Sequence, residues 1–252
     1  MGIDQDGAAI LVLQDLSAAF DTIDHKIFLS TLEELCIGDC AISVSKEARN
    51  LGVIFDSCLN MESHINSVCK RAYFHIHNIS MIRRYLDVKT TSALIQAFIM
   101  PRLDYCNSLL FGTSEHLLGK LQRVQNTAVR VIARHQKYDH ITPVLHSLHW
   151  LPVRYRIQYK ILLLVFKCVN GLAPSYLSNL LKKHYPPRSL RSGSQYFLEV
   201  PTTRTNTFGD RSFAKAGREM WNSLPMNLRS QENLPAFKSQ LKTHLFSTAY
   251  RT

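Results

Sequence analysis

Residues 115–134, EHLLGKLQRVQNTAVRVIAR, decide the fold class of this chain. Apolar residues recur along this stretch at the spacing of one helix face: Leu117, Leu121, Val124, Ala128 and Val131. That spacing predicts an amphipathic helix whose apolar face packs on a core. Basic residues gather on the opposite face: Arg123, Arg130 and Arg134. We therefore expect a core helix with a basic outer side.

Helical spacing continues on both sides of this stretch. Residues 62–85 and 90–110 are predicted as helices, and Pro101 is expected to kink or split the second one. A helix after Pro152 is apolar nearly all round and ends at Gly171, which predicts that it is buried. Two further helices are predicted at residues 213–223 and 235–246. The chain beyond residue 60 is thus expected to be mainly helical.

The first 60 residues and one later segment have a different character. Residues 8–14, AAILVLQ, predict a short buried strand, and Asp21 or Thr22 begins a predicted helix that continues to residue 35. The stretches AISVS and NLGVIFD predict a strand pair around the polar connection SKEARN. Residues 184–210 predict a loop with one short strand at 196–200. The expected fold class is α+β, mainly α.

The charge is unevenly distributed along the chain. Residues 1–60 contain three basic and ten acidic residues, which gives them a formal charge of −7. Because the whole chain has a net charge of +11, residues 61–252 must carry +18. A strongly basic region is typical of proteins that bind a polyanion, with nucleic acid as the first candidate. A solvated basic surface that keeps the protein soluble is an equally good interpretation of the charge alone.

The cysteines and the hydropathy indicate the compartment. The six cysteines form no CxxC pair, which argues against a zinc site and against a disulfide framework. The first 16 residues lack a basic start and an uninterrupted apolar run, unlike a signal peptide. The longest apolar run, residues 161–166, is too short to span a bilayer. We expect no membrane partner and an intracellular protein, cytoplasmic or nuclear.

Residues 12–25, VLQDLSAAFDTIDH, are the most specific motif in the chain. They resemble motif A of non-LTR retrotransposon (LINE) reverse transcriptases, which reads close to LDLSAAFDTVDH. Several later segments are similar to the C-terminal part of the same proteins, especially of the jockey-like branch: NLGVIFDSCLNMESHI, PRLDYCNSLLFG, LQRVQNTAVRVIAR, HITPVLHSLHWLPV, KILLLVFKCVNGLAPSYL, TFGDRSF, WNSLP and FKSQLKTHLF. The resemblance covers almost the whole chain.

This resemblance implies roles for two residues. In an RNA-directed DNA polymerase, two divalent ions promote nucleotidyl transfer, and carboxylates hold them. Asp15 would be one catalytic, metal-binding carboxylate for Mg²⁺, and Phe20 would bind the substrate by packing against the sugar of the incoming deoxynucleotide. Without the motif, Asp15 would be interpreted as a turn or cap residue and Phe20 as a core aromatic.

The chain also departs from that family. It contains no Asp-Asp dipeptide, whereas the family needs a second motif with two adjacent aspartates. A stretch of about 100 to 150 residues, the size of a typical domain, is missing between Leu35 and Asp39. Asp21, Asp24 and Asp56 are nearby acids, but one carboxylate cannot hold two ions. We therefore expect Asp15 to be vestigial, no tightly bound Mg²⁺ and no polymerase activity.

The basic residues after motif A suggest a remaining function. They include Arg83, Arg84, Arg123, Arg130, Arg134, Arg154, Arg156, Lys182, Lys183, Arg188 and Arg191. Arginines on one face would contact the phosphates of an RNA or DNA backbone without reading sequence, and we expect Arg123, Arg130, Arg134, Arg154 and Arg156 to do so. The tyrosines interleaved with them (Tyr155, Tyr159, Tyr185 and Tyr196) would stack on bases or, more simply, pack in the core.

The expected organisation is a palm fragment at residues 1–35, a small β segment at 36–57, a thumb-like helical region at 58–150 and a C-terminal helical region at 151–252. The histidine groups, His140, His146 and His149 and then His64, His75 and His77 with Cys69, do not match zinc spacing, so structural or exposed roles are expected. Two functional hypotheses remain open. One is a non-catalytic nucleic-acid-binding remnant, and the other is a protein-interaction module or unselected gene product that self-associates through exposed apolar surface.

Overall fold

The computed structural model describes residues 46–182, 196–202 and 209–250, together with the backbone of residues 36–37 and 40–41. In this part of the chain the structure is mainly helical with small antiparallel strand pairs, which confirms the predicted α+β, mainly α class. The strand predicted at residues 8–14 and the helix predicted up to residue 35 lie outside the described residues.

Two short strand pairs precede the helices. β1 (Cys36–Ile37) pairs antiparallel with β2 (Cys40–Ala41), and β3 (Glu47–Asn50) pairs antiparallel with β4 (Val53–Asp56). Leu51 and Gly52 connect β3 to β4 and have φ values of 46° and 84°, as in the two-residue turns that match the twist of a hairpin. The prediction that SKEARN is the connection is therefore wrong. Its last four residues form β3, because the tight turn lies directly after them.

The helices follow the hairpin in chain order. The first five are α1 (Glu62–Ile82), α2 (Val88–Phe98), α3 (Met100–Asp104), α4 (Glu115–Ala133) and α5 (Thr142–Ser147). The next five in the described residues are α6 (Val153–Val169), α7 (Ser175–Ser178), α8 (Phe213–Ser223), α9 (Met226–Arg229) and α10 (Leu234–Ala249). Single 3-10 turns lie at Arg83–Tyr85 and Asn107–Leu110. The strand predicted at 196–200 is reduced to one bridging residue, Leu198.

Local capping explains several helix ends. Asp87 begins α2 by accepting a hydrogen bond from the backbone N–H of Thr90 at 2.7 Å. Pro101 lies in the first turn of α3 and separates α3 from α2, as its missing N–H predicts. At the end of α6, the N–H of Leu172 donates to the carbonyl of Lys167 at 2.7 Å, and Gly171 takes the left-handed conformation with φ 69°. This is the Schellman arrangement that a glycine after a helix favours.

A continuous apolar core joins the helices other than α7, which has no buried residue. α1 packs mainly on α4, and α6 packs on α8 and α10. The rings of Phe166 in α6 and Phe237 in α10 stack with centroids 4.2 Å apart, and Trp221 of α8 lies 5.9 Å from Phe237. The core extends from Val53 to Leu245 without interruption. The predicted boundary between residues 150 and 151 stays a prediction, and apolar contacts cross it.

Two arginines join distant segments by donating hydrogen bonds to backbone carbonyls. Arg211 donates from Nε to the carbonyl of Phe111 at 3.0 Å and from Nη1 to the carbonyl of Leu59 at 2.9 Å. Arg218, which is buried, donates to the carbonyls of Glu199 and Leu180. A guanidinium satisfies several orphan carbonyls at once because its donors form a rigid fork. These arginines are therefore structural parts of the fold.

Candidate nucleic-acid interface

The two residues predicted to belong to a polymerase site, Asp15 and Phe20, lie outside the described residues. Asp56 is described, and its carboxylate accepts hydrogen bonds from the backbone N–H groups of Cys58 at 3.1 Å, Asn60 at 3.0 Å and Met61 at 2.7 Å. These bonds turn the chain from β4 into α1. In the described ranges no three His, Cys, Asp or Glu residues lie close enough to hold a metal ion.

The outer face of α4 and its C-cap carry three of the arginines predicted to bind nucleic acid. Arg123 and Arg130 lie within about 20° of each other around the helix axis, because each residue turns the helix by about 100°. Arg134 follows the helix as its C-cap, in the left-handed conformation with φ 56°. The opposite face is buried against α1 and α6 and holds Leu117, Leu121, Val124, Gln125, Ala128, Val129 and Ile132. Val131, predicted to be apolar core, is only half-buried and lies at the edge of that face. We call the surface of Arg123, Arg130 and Arg134 the basic face.

The hydrogen-bond partners of Arg130 and Arg134 are neutral carbonyls, which do not neutralise the charge of these arginines. Among the described residues, none of the three forms a salt bridge with a carboxylate. Arg130 donates from Nη2 to the carbonyl of Asp139 at 3.4 Å, and Arg134 donates to the carbonyl of Arg83 at 3.5 Å. Both bonds are long and use one nitrogen each. Arg123 and Arg134 are exposed, so their guanidinium groups can meet an external anion.

Arg84 extends the basic face beyond the end of α4. It is exposed and lies over the ring of Tyr85 at 4.7 Å. The carbonyl of the preceding residue, Arg83, accepts the bond from Arg134, so this basic and aromatic pair lies beside the C-terminal end of α4. An exposed tyrosine next to a cation is suited to stack on a base.

Arg154 and Arg156 have carboxylate partners instead. Arg154 pairs with Glu115 at the exposed N-terminal end of α4, roughly 28 Å along the helix from Arg134. Arg156 binds Asp104 with two nitrogens, Nε at 2.8 Å and Nη2, and both side chains are more than two-thirds buried. The five arginines predicted to bind nucleic acid are therefore not one cluster, and two of them are engaged in ion pairs.

The tyrosines named from the sequence divide into residues that pack in the core and one that is exposed. Tyr155 and Tyr159 pack against the core, and burial raises the pKa of the Tyr159 hydroxyl. Tyr196 is 52% exposed.

Among the remaining predicted residues, Lys182 is exposed. Lys183, Arg188, Arg191 and Tyr185 lie outside the described residues.

The histidines make packing contacts. His149 and His146 lie on the ring of Phe246 in α10, with centroids 5.5 Å and 5.0 Å apart. His75 stacks on Phe98 at 5.5 Å, and its Nε2 lies 2.8 Å from a guanidinium nitrogen of Arg102. His64 is buried and accepts a bond from the N–H of Ile54 at 3.4 Å. The aromatic contacts of His75, His146 and His149 hold neighbouring helices together.

A cleft beside Arg130 was not expected from the sequence. It has a volume of about 500 Å³ and lies between α4, residues 138–145 and the end of α10. Asn126 and Arg130 line it from successive turns of α4. Their spacing of four residues is a signal of one shared helix face, but the sequence gives no sign of the distant segments that close the cleft.

Comparison with known proteins gave no matching family model, no matching curated protein and no matching solved structure. None of the described helices combines the length and the apolar character required to cross a lipid bilayer.

Proposed function

We propose that this chain is a non-catalytic remnant of a LINE-type reverse transcriptase that binds the phosphate backbone of RNA or DNA through the basic face of α4. The observation that carries the proposal is that Arg123 and Arg130, on one side of α4, and Arg134, at its C-cap, have no carboxylate partner in the described residues. Cations left unpaired beside one another repel each other, and a polyanion relieves that repulsion.

The spacing of the three arginines suits a nucleic-acid strand. At 1.5 Å per residue, Arg130 lies roughly 6 Å along the axis from Arg134 and roughly 10 Å from Arg123. Phosphates advance by about 3.4 Å of helix axis per nucleotide in each strand of a duplex, so the arginines reach phosphates two and three steps apart. Such contacts give affinity without base recognition, and we expect little dependence on sequence.

The salt dependence of binding tests this proposal. Three phosphate contacts predict a slope of log affinity against log salt of about −2.7 on duplex DNA and about −2 on single strands. Fluorescence anisotropy with labelled oligonucleotides between about 50 and 200 mM salt measures it. Arg123→Ala and Arg134→Ala should each reduce the slope by roughly one. Lys238→Ala removes the same charge from an exposed position on α10 and should leave the slope unchanged.

Affinity that is insensitive to salt would contradict the proposal, and so would equal effects of Arg123→Ala and Lys238→Ala.

The proposed absence of polymerase activity has a separate test. A primer-extension assay with Mg²⁺ or Mn²⁺ is expected to give no product, because the chain lacks the paired aspartates. Template-dependent synthesis that disappears in Asp15→Ala would overturn that expectation.

A second candidate function, self-association, is favoured by an exposed aromatic surface on α1 and α2. Phe74 is 62% exposed and Phe98 is 46% exposed, and the ring of His75 contacts both. Exposed apolar clusters of this kind are typical of protein contacts. Light scattering after size exclusion should then show a dimer that Phe74→Glu dissociates. A monomer at all concentrations would exclude this function.

A further inference from the structure

α1 and α4 lie side by side and run in the same direction. Near their starts, the Nζ of Lys120 in α4 donates to the Oδ1 of Asn66 in α1 at 2.9 Å. At their ends, the Nε of Arg83, directly after α1, donates to the carbonyl of Val131 at 2.8 Å. We call the surface along this contact, from Asn66 to Tyr85, the α1–α4 groove.

Tyr73 lies on the side of α1 that borders the α1–α4 groove. It follows Asn66 by seven residues, so the two side chains leave α1 within about 20° of each other. Cys69 lies between them in sequence. Burial raises the pKa of its thiol, and the charges of Lys120 and Arg123 on α4 oppose that shift. Tyr73 is 40% exposed and therefore presents its ring beside these cations.

Tyr85 lies at the other end of the groove. It is 74% exposed, and the guanidinium of Arg84 covers one side of its ring at 4.7 Å. Arg134, the C-cap of α4, donates to the carbonyl of Arg83, which places Tyr85 beside the basic face. Tyr73 and Tyr85 are roughly 20 Å apart along the chain axis, at about 1.5 Å per residue in α1 and about 2.0 Å in the 3-10 turn.

Beyond their first residues, neither helix brings a negative charge to the groove. Residues 66–85 and 116–134 contain no Asp or Glu and four Lys or Arg each. The first residues, Glu62 of α1 and Glu115 of α4, pair with Lys120 and Arg154. The groove therefore combines positive charge with two exposed aromatic rings.

This combination suits a single strand of nucleic acid better than a duplex. Paired bases stack on one another, so a duplex shows side chains only base edges and phosphates. Turning a base out of the stack costs several-fold to many-fold in affinity. The bases of a single strand have open faces, on which tyrosine rings stack.

We infer that the α1–α4 groove selects single-stranded nucleic acid, with bases stacked on Tyr73 and Tyr85 and phosphates on Arg123 and Arg134. The inference rests on the proposed function, because the same arginines bind the backbone, and it adds discrimination between single strands and duplexes. Every base has a ring face, so stacking on the two tyrosines adds affinity without a sequence preference.

Fluorescence anisotropy of the full chain with three labelled probes of equal length tests the inference. The probes are a DNA strand that cannot pair with itself, the same strand annealed to its complement, and an abasic strand that keeps the phosphates but has no bases. At about 150 mM salt, where phosphate contacts are screened, the single strand should bind at least about tenfold more tightly than the duplex. It should also bind at least about tenfold more tightly than the abasic strand.

Tyrosine variants identify the stacking residues. Tyr73→Ala and Tyr85→Ala should each weaken binding of the single strand at least about fivefold. The slope of log affinity against log salt should stay unchanged in both, because no charge is removed. Tyr85→Phe keeps the ring and should bind like the unmodified chain. Tyr176→Ala removes a tyrosine of α7 that is 63% exposed and should have no effect.

The outcomes separate this inference from the proposed function. Equal affinities for the single strand and the duplex, or for the single strand and the abasic strand, would overturn the inference alone. Tyr73→Ala and Tyr85→Ala that bind like Tyr176→Ala would do the same, and thermal melts of the variants show whether the fold is kept. Absence of salt-dependent binding to all three probes would overturn the inference and the proposed function together.

Discussion

The Nη2 of Arg83 donates a hydrogen bond at 2.9 Å to the carbonyl of Ile132, 49 residues away in sequence. Its Nε donates to the carbonyl of Val131 at 2.8 Å and its Nη1 to that of Leu86 at 2.6 Å. The last carbonyls of a helix have no partner inside the helix. Arg83 therefore closes the end of α4 and fixes the basic face relative to α1.

Arg83 is buried and bonded to carbonyls, whereas its neighbour Arg84 is exposed. Substitution of Arg84 is therefore a matched control for substitution of Arg83. Arg83→Ala should lower the free energy of unfolding by about 2–3 kcal/mol, because it leaves buried carbonyls without donors. Arg84→Ala should change it by less than about 0.5 kcal/mol, since this side chain is exposed. Urea denaturation followed by circular dichroism measures both. Equal stabilities of the two variants would show that Arg83 does not hold the end of α4.

The two ion pairs of α6 are expected to differ in strength. A double-mutant cycle on Arg156 and Asp104 should give a coupling energy of roughly 1–3 kcal/mol, because the contact is bidentate and partly shielded from water. The same cycle on Arg154 and Glu115 should give less than about 0.5 kcal/mol, since those side chains are 55% and 74% exposed. A larger coupling in the exposed pair would contradict this ranking.

Three glycines should respond differently to replacement by alanine. Gly112 has φ 71°, and a Cβ there would overlap the side chain of Arg211, which clips the chain together. Gly171 has φ 69° but open space around it, so Gly171→Ala should cost about 1 kcal/mol from backbone strain alone. Gly112→Ala should cost more than Gly171→Ala. Gly119 lies within α4 with nothing near it, and Gly119→Ala should stabilise the protein by about 0.5–1 kcal/mol.

Chemical denaturation of the three glycine variants tests this order. A stability of Gly112→Ala equal to or above that of Gly171→Ala would mean that Arg211 moves aside without loss.

The buried imidazole of His64 predicts a dependence of stability on pH. Burial, followed by the charges of Arg71 and Arg49, lowers the pKa of His64 below its ordinary value of 6.5. The unfolded chain therefore takes up the proton first, so the stability contributed by neutral His64 is present above about pH 6.5 and is lost as the pH falls towards the folded pKa. Urea midpoints measured from pH 7.5 to 5 should decrease, and the decrease should be smaller in His64→Gln. Replacement of the exposed His116 by glutamine should leave the pH profile unchanged.

The long helices could be predicted because their signal is local. The apolar spacing of residues 115–134 gives α4 to within one residue, and Pro101 marks the split before α3. The short helices α5, α7 and α9 could not be predicted, because helices of four to six residues do not persist without tertiary packing. Leu198 is likewise held by Asn222, whose side chain exchanges two hydrogen bonds with its backbone at 2.9 and 2.8 Å. That contact joins positions 24 residues apart, and the hydrophobic periodicity of the sequence gives no sign of it.

The roles of the arginines were only partly predictable. Helix periodicity predicted one outer face for Arg123, Arg130 and Arg134, and the structure has Arg123 and Arg130 on that face and Arg134 as the left-handed C-cap beyond it. The same periodicity cannot separate Arg83 from Arg84 or reveal the partner of Arg156, because carbonyl acceptors have no sequence signature and Asp104 is 52 residues away. The catalytic expectation for Asp15 and Phe20 stays a prediction, since it rests on the motif and lies outside the described residues.

The stacking of Phe237 on Phe166 sets an order of events during synthesis of the chain. Phe237 follows Phe166 by 71 residues. Because ribosomes add roughly 5–20 residues per second, α10 is synthesised about 4–14 s after α6. During that interval the apolar face of α6, which includes Phe166, has no cover from α10. We therefore expect the yield of folded protein to depend on translation speed through residues 167–237.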